Sequence, residues 1–141
     1  MSAPVEDLIN EIRLCYHSLV QIGDEIHSGS TISLGMRAVL EFLSRNGDTT
    51  VPDIARSRRV TRQRIQSLVN ALLDESLVQT IANPASKRSP LITLTPTGKK
   101  RISDMRKLEG NRMRTSLSDK RVTDATKTLA QLRTALEGVH S

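Results

Sequence analysis

Residues Ser57–Val78, SRRVTRQRIQSLVNALLDESLV, decide how the rest of the chain is read. Ile65, Leu68, Val69, Leu72 and Leu73 recur at the i, i+3, i+4, i+7, i+8 spacing that lines one face of a helix, and such a face belongs in a core. At about 100° per residue, Gln63, Ser67, Asn70 and Asp74 fall on the opposite side, with Arg64 and Ala71 on one flank and Gln66 on the other. Thr61 can cap the N-terminus through its hydroxyl, which predicts a helix starting near Arg62. No acid occurs from Ile54 through Leu73, while Arg56, Arg58, Arg59, Arg62 and Arg64 crowd the start of the helix. That imbalance suits a phosphate backbone. A helix entering a major groove by this end would bring Gln63 and Arg64 to base edges first, then Ser67 and Asn70. Gln and Asn complement adenine, and Arg complements guanine. An ordinary solvated face is the competing reading, and the absence of acids favours DNA.

The chain of 141 residues carries a net charge of +6 with a pI near 10.1. It fits one compact domain, or a small domain with long helical extensions. The charge favours a polyanionic partner, either nucleic acid or an anionic membrane surface. No apolar run approaches the roughly 20 residues of a spanning helix, and the start, MSAPVEDLIN, lacks signal-peptide regions, so a cytoplasmic protein without a membrane partner is expected. The single cysteine, Cys15, excludes an intrachain disulfide and a cysteine-based zinc cluster. With one Tyr, one Phe and no Trp, stacking platforms for single strands are not expected. His17, His27 and His140 are isolated, and neither a Gly-rich phosphate loop nor a nucleophile-base constellation is visible. Neither an enzyme, a metal nor a cofactor is expected.

Ahead of the helix-turn-helix, Leu8, Ile12, Cys15, Leu19, Ile22 and Ile26 step by alternate fours and threes, a heptad-like seam that needs a second subunit to cover it. Gly29 and Ser30 then punctuate the chain, and a second helix carries Ile32, Leu34, Met36, Val39, Leu40, Phe42 and Leu43 to a stop at Asn46-Gly47. Thr50 offers a cap with Asp53 three residues on, a short-armed capping box, and Pro52 sits in the first turn of a third helix, Val51 to Ser57. Its small Ala55 lets the following helix cross closely, which completes a helix-turn-helix.

After Val78 the pattern alternates, predicting two strands, with Val78 and Thr80 on one and either Leu91, Thr93 and Thr95 or Ile92 and Leu94 inward on the other. Between them ANPASKRSP forms a turn-rich loop with Lys87 and Arg88 near its tip. A basic hairpin beside a recognition helix reads as a wing whose cations reach phosphates or a minor groove; a solvated hairpin is the alternative. Gly98 is expected to close the wing, Lys99 to Leu117 to form a basic helix that Gly110 bends, and Ser118 to cap a last helix with the seam Val122, Ala125, Leu129, Leu132, Leu136. The fold class expected is therefore mainly α with a small β-hairpin wing. Residues 1–30 and 99–141 supply dimerisation helices, 31–98 the winged helix-turn-helix with its wing near 78–97, within a single compact domain overall. A twofold dimer would present two recognition helices one turn of duplex apart.

TVPDIARSRRVTRQRIQSLVNALLDESLV, NPASKRSPLITLTPTGKK and the helices at either end together resemble the MarR family of bacterial transcription regulators. The resemblance implies a winged-helix homodimer on palindromic operator DNA, a repressor released by a small ligand or an oxidant. The polar face of the helix, its basic start and the wing loop give Arg59, Thr61, Arg62, Gln63, Arg64, Ser67, Asn70, Lys87 and Arg88 as the residues expected at DNA. The resemblance also implies an effector cleft lined from the first, second and fifth helices, with Tyr16, His17, Met36, Arg37 and Arg106 as candidates, and the basic charge of the chain is consistent with an anionic aromatic effector. Some relatives sense peroxide through a cysteine in the first helix, where Cys15 lies, although a seam position equally suits a small buried hydrophobe. Two positions depart from the family: Ser86 stands where an acid usually braces the wing arginine, and Ser76 where Gly usually follows the recognition helix. A non-specific architectural DNA-binding dimer and a helical protein-docking module are the rival readings.

Overall fold

The computed structural model describes residues 3–139; His140 lies outside them. Six helices and three short strands follow in the order α1 (Ala3–Ile26), α2 (Leu34–Asn46), β1 (Thr49–Thr50), α3 (Val51–Arg58), α4 (Arg62–Asp74), β2 (Val78–Ile81), β3 (Leu91–Leu94), α5 (Pro96–Arg112) and α6 (Asp119–Val139). The architecture is a mainly helical winged helix with a small antiparallel sheet, as its periodicities predict.

Local chemistry sets the helix starts. Ser33, Thr50, Thr61, Thr95 and Ser118 each accept a backbone N–H of the first turn through the side-chain oxygen. At α3 the capping box is half formed. Thr50 Oγ1 accepts from Asp53 N at 3.2 Å, but the Asp53 carboxylate turns to Arg56 at 2.9 Å, because its arm is too short to reach back. Both α3 and α4 end in Schellman turns on residues other than glycine. Arg59 has φ 56 and Ser76 φ 57, with Val60 N donating to Ala55 O and Leu77 N to Leu72 O. The missing glycine at position 76 is thus accommodated by a left-handed serine.

The sheet has the order β1-β3-β2, one strand more than the alternation predicts. β1 pairs Thr49 with Ile92 and Thr50 with Leu91, so the strand ends on the threonine that caps α3. Across β2 and β3, Val78 faces Leu94 and Thr80 faces Ile92, which selects the Ile92/Leu94 set as inward.

The structure moves one boundary substantially. α5 starts at Pro96 and ends at Arg112, whereas the sequence suggests Lys99 to Leu117. Thr95 caps it and Pro96 supplies a preset φ, so Gly98 lies inside its first turn and does not close the wing. The helix also continues through Gly110.

The core comprises Ile32, Met36, Val39, Leu40, Leu43, Ile54, Ala55, Ile65, Leu68, Val69, Leu72, Leu77, Val78, Ile92, Ile102 and Met105. Every member lies between Ile32 and Met105. Ala55 is buried where α3 meets α4, and Gly35 lets α4 approach α2, since a Cβ there would stand 2.9 Å from Leu68 Cδ2. By contrast α6 buries no side chain, and along α1 only Gly23 is buried. Their seams, Val5, Leu8, Ile12 and Leu19 on α1 and Val122, Leu129 and Leu136 on α6, face solvent in the single chain.

Candidate nucleic-acid interface

α4 stands with its core stripe against α2 and α3 and its polar face outward, so Gln63, Ser67 and Asn70 are exposed together. Thr61 is spent as the cap: its Oγ1 accepts from Arg64 N at 3.0 Å. It positions the helix start rather than reading from it. Arg62 opens the helix on the side of the wing. A groove of about 410 Å³ separates α4 from the wing, and Arg62, Gln66, Thr80 and Arg88 line it. The first basic residue of the recognition helix and the wing arginine therefore border one channel.

The wing loop is shaped by Asn83, a residue without a role in the sequence pattern. Its Nδ2 donates to Ser89 O at 2.8 Å across the loop, and its Oδ1 accepts from Ala85 N at 3.1 Å. This Asx turn ties the two sides of the loop together. Among the described residues, none of Arg59, Arg62, Arg64, Lys87 and Arg88 is ion-paired within the chain. Arg56 is, to Asp53.

Arg64 and Arg59 lie away from the groove that Arg62 and Arg88 line. Arg64 lies on the opposite flank of α4, where its Nη2 approaches Gly35 and it lines a hollow with Ala38, Arg58 and Val60. It does not share the outward face of Gln63 and Ser67. Arg59 sits at the end of α3 and borders a cleft of about 440 Å³ with Ile12, Leu129, Leu132 and Leu136, on the side facing α1 and α6. Gln66, in turn, gains a position that periodicity alone assigns to a flank: its Nε2 donates to Asn70 Oδ1 at 2.9 Å.

The five effector candidates are not brought together as open side chains. Tyr16 is 64% exposed on α1, edge-on to His17 with ring centroids 6.1 Å apart. Met36 belongs to the core. Arg37 and Arg106 are held in a charged network that ties α2 to α5. Arg37 donates to Glu109 at 2.7 and 3.0 Å and to Glu41 at 2.9 Å; Arg106 donates to Glu41 at 3.1 Å and to Ser44 at 2.9 Å. His27 Nε2, buried and without a hydrogen-bond partner, lies 3.9 Å from Glu109 Oε1. Cys15 is exposed on the α1 seam. Among the described residues, no cluster of His, Cys, Asp or Glu could hold a metal ion, and no helix is long and apolar enough to cross a membrane.

Burial pushes the Glu41 carboxyl up, but hydrogen bonds from Arg106, Arg37 and Arg45 outweigh it and hold the group at about 2, below the ordinary 4.5. Because the folded value is depressed, Glu41 stabilises the fold fully above about 4.5, and that contribution is lost as pH falls towards about 2. Glu41→Gln should therefore cost about 2 kcal/mol at neutral pH after allowance for solvent screening. Denaturant titrations of both proteins should show the gap close between pH 4.5 and about 2. An equal gap at both ends of that range would refute the ionic origin.

α3, the left-handed turn at Arg59, α4 and the β2–β3 hairpin together make a winged helix-turn-helix fold. Residues 37–89 match the model of the MarR family. Solved structures share the fold over nearly the full length. A MarR family protein from Bacillus stearothermophilus is 21% identical with a TM-score of 0.80, covering 97% of this chain and 99% of its own. Staphylococcus aureus MarR in complex with salicylate and kanamycin is 19% identical with a TM-score of 0.79, covering 95% of this chain and 93% of its own. Bordetella bronchiseptica BpsR, described with the regulation of its DNA binding by 6-hydroxynicotinic acid, is 19% identical with a TM-score of 0.73, covering 88% and 91%. No curated protein matches the chain in sequence.

Proposed function

We propose that the protein is a MarR family transcription regulator that binds palindromic operator DNA as a homodimer in the cytoplasm and represses transcription until a small molecule releases it. One observation carries the reading: Arg62 and Arg88 border the same groove with no carboxylate paired to either among the described residues. Cations left unpaired beside an exposed row of neutral donors and acceptors are complementary to a phosphate backbone flanking base edges. On this reading Arg62, Lys87 and Arg88 hold the backbone, while Gln63 and Ser67 meet base edges. Residues 31–98 serve as the DNA-reading unit, and 1–30 with 99–141 as the frame that pairs two of them.

The dimer is supported by the two uncovered seams and by the cleft of about 440 Å³ between them and α3, lined by Ile12, Leu129, Leu132 and Leu136. Apolar stripes of this length gain free energy only by burial, and a second copy offers the matching stripes. Small aromatic acids are the effector class proposed, from the salicylate and 6-hydroxynicotinic acid named with two of the similar structures.

Titration of labelled promoter DNA from the protein's own locus, competed by random duplex across salt concentrations, tests the reading. Specific DNA should survive competition, and Arg62→Ala or Arg88→Ala should weaken binding evenly across sequences while lowering the salt slope by about 1. Equal displacement by random duplex would leave a non-specific coating protein, and failure to bind any duplex at low salt would leave a protein-docking module. Salicylate should raise the melting temperature and release the operator; no effect from either aromatic acid would remove that effector class.

A further inference from the structure

We propose that Gln66 is the residue that selects an adenine, and that Asn70 is its positioning residue rather than an independent reader. The assignment rests on the DNA-binding reading above. Both side chains are exposed on α4 one turn apart, and Gln66 Nε2 donates to Asn70 Oδ1 at 2.9 Å. A glutamine amide has two N–H donors and a carbonyl with two lone pairs. With the N–H trans to Oε1 given to Asn70, the cis N–H stays beside Oε1. That side-by-side donor and acceptor complements adenine, whose N7 accepts and whose N6 amine donates in the major groove. Glutamine also loses much rotamer freedom on ordering. The bond donated to Asn70 fixes the amide before DNA arrives, so part of that loss is already met.

The surroundings point the same way. Gln66 lies in the groove between α4 and the wing, one turn beyond Arg62 and across from Arg88. Phosphate contacts from those two cations would fix the register in which the amide meets a base. Asn70, by comparison, spends one lone pair of Oδ1 on Gln66, so the orientation of its amide is set by Gln66 rather than free to be set by a base.

Sequencing of duplexes selected from a random library by the full chain separates the two roles. Gln66→Ala should erase an adenine preference of about tenfold at one position in each half-site. Gln66→Glu, which can only accept, should move the preference at that position to cytosine through its N4 amine. Asn70→Ala should weaken the same adenine preference to about threefold, with no other position relaxed. Asn70→Asp keeps the acceptor and should restore the preference, with lower affinity on every sequence because of its charge. The assignment is overturned if Gln66→Ala leaves selectivity unchanged, or if Asn70→Ala relaxes a separate position. Wild-type protein that retards no duplex overturns the DNA reading itself, a result distinguishable from either.

Discussion

Gly98→Ala is expected to destabilise the chain by about 3 kcal/mol or more, beyond the usual range for an added methyl group in a packed site. A Cβ at this position would stand 1.9 Å from Leu77 O and 2.9 Å from Leu77 C. Neither atom can retreat, since Leu77 is buried, its carbonyl accepts from Thr95 N at 3.1 Å, and its amide closes the end of α4 by donating to Leu72 O. Thr95 locks the junction a second time, accepting from Gly98 N at 3.0 Å and donating to Ser76 O at 2.8 Å. The first turn of α5 is thus pressed onto the exit of the recognition helix, and the substitution must separate them. Thermal and denaturant unfolding would measure the loss. Gly110→Ala, in the same helix with no atom within 4 Å, is the control and should stabilise by up to about 1 kcal/mol. Similar stabilities for Gly98→Ala and wild type would show that α5 slides freely, contrary to this packing.

Paired charges in the α6 seam should have the second large effect. Leu129 and Leu136 are 52% and 53% exposed in the single chain and add nothing to the winged-helix core. In the proposed dimer they are covered, where an unpaired carboxylate costs several kcal/mol. Leu129→Glu with Leu136→Glu should therefore give a monomer by sedimentation, with far-UV dichroism retained. Operator affinity should fall by about a hundredfold or more, because the second half-site contact ceases to be intramolecular. Binding to one half-site at low salt should persist. A variant that sediments as wild type does would place the subunit contact elsewhere.

The helices and caps were legible because they depend on neighbours within a turn or two. The stripe Ile65, Leu68, Val69, Leu72, the hydroxyls of Thr50 and Thr61, and the NPASKRSP loop each carry a local rule, and each appears where that rule places it. β1 was not legible: its two threonines have no periodicity, and they form a strand only because β3 passes beside them. The start of α5 was misplaced because Gly98 reads as a turn residue in sequence, whereas its function is to admit Leu77 O.

At the site the division is similar. Sequence by itself determined the helical elements, the acid-free basic surface and the neutral residues on the outward face of α4, since these follow from 3.6-residue periodicity and composition. Only the tertiary structure decided which of those side chains remain available. Arg37 meets Glu109 from 72 residues away and Arg106 meets Glu41 from 65, so both leave the pool of open cations. Arg64 is drawn towards α2 by the close approach at Gly35, and Gln66 comes to face Arg88 because the wing folds back beside it. The physical reason is range: backbone geometry fixes the direction of a side chain locally, but its partners are chosen by packing between elements distant in the chain.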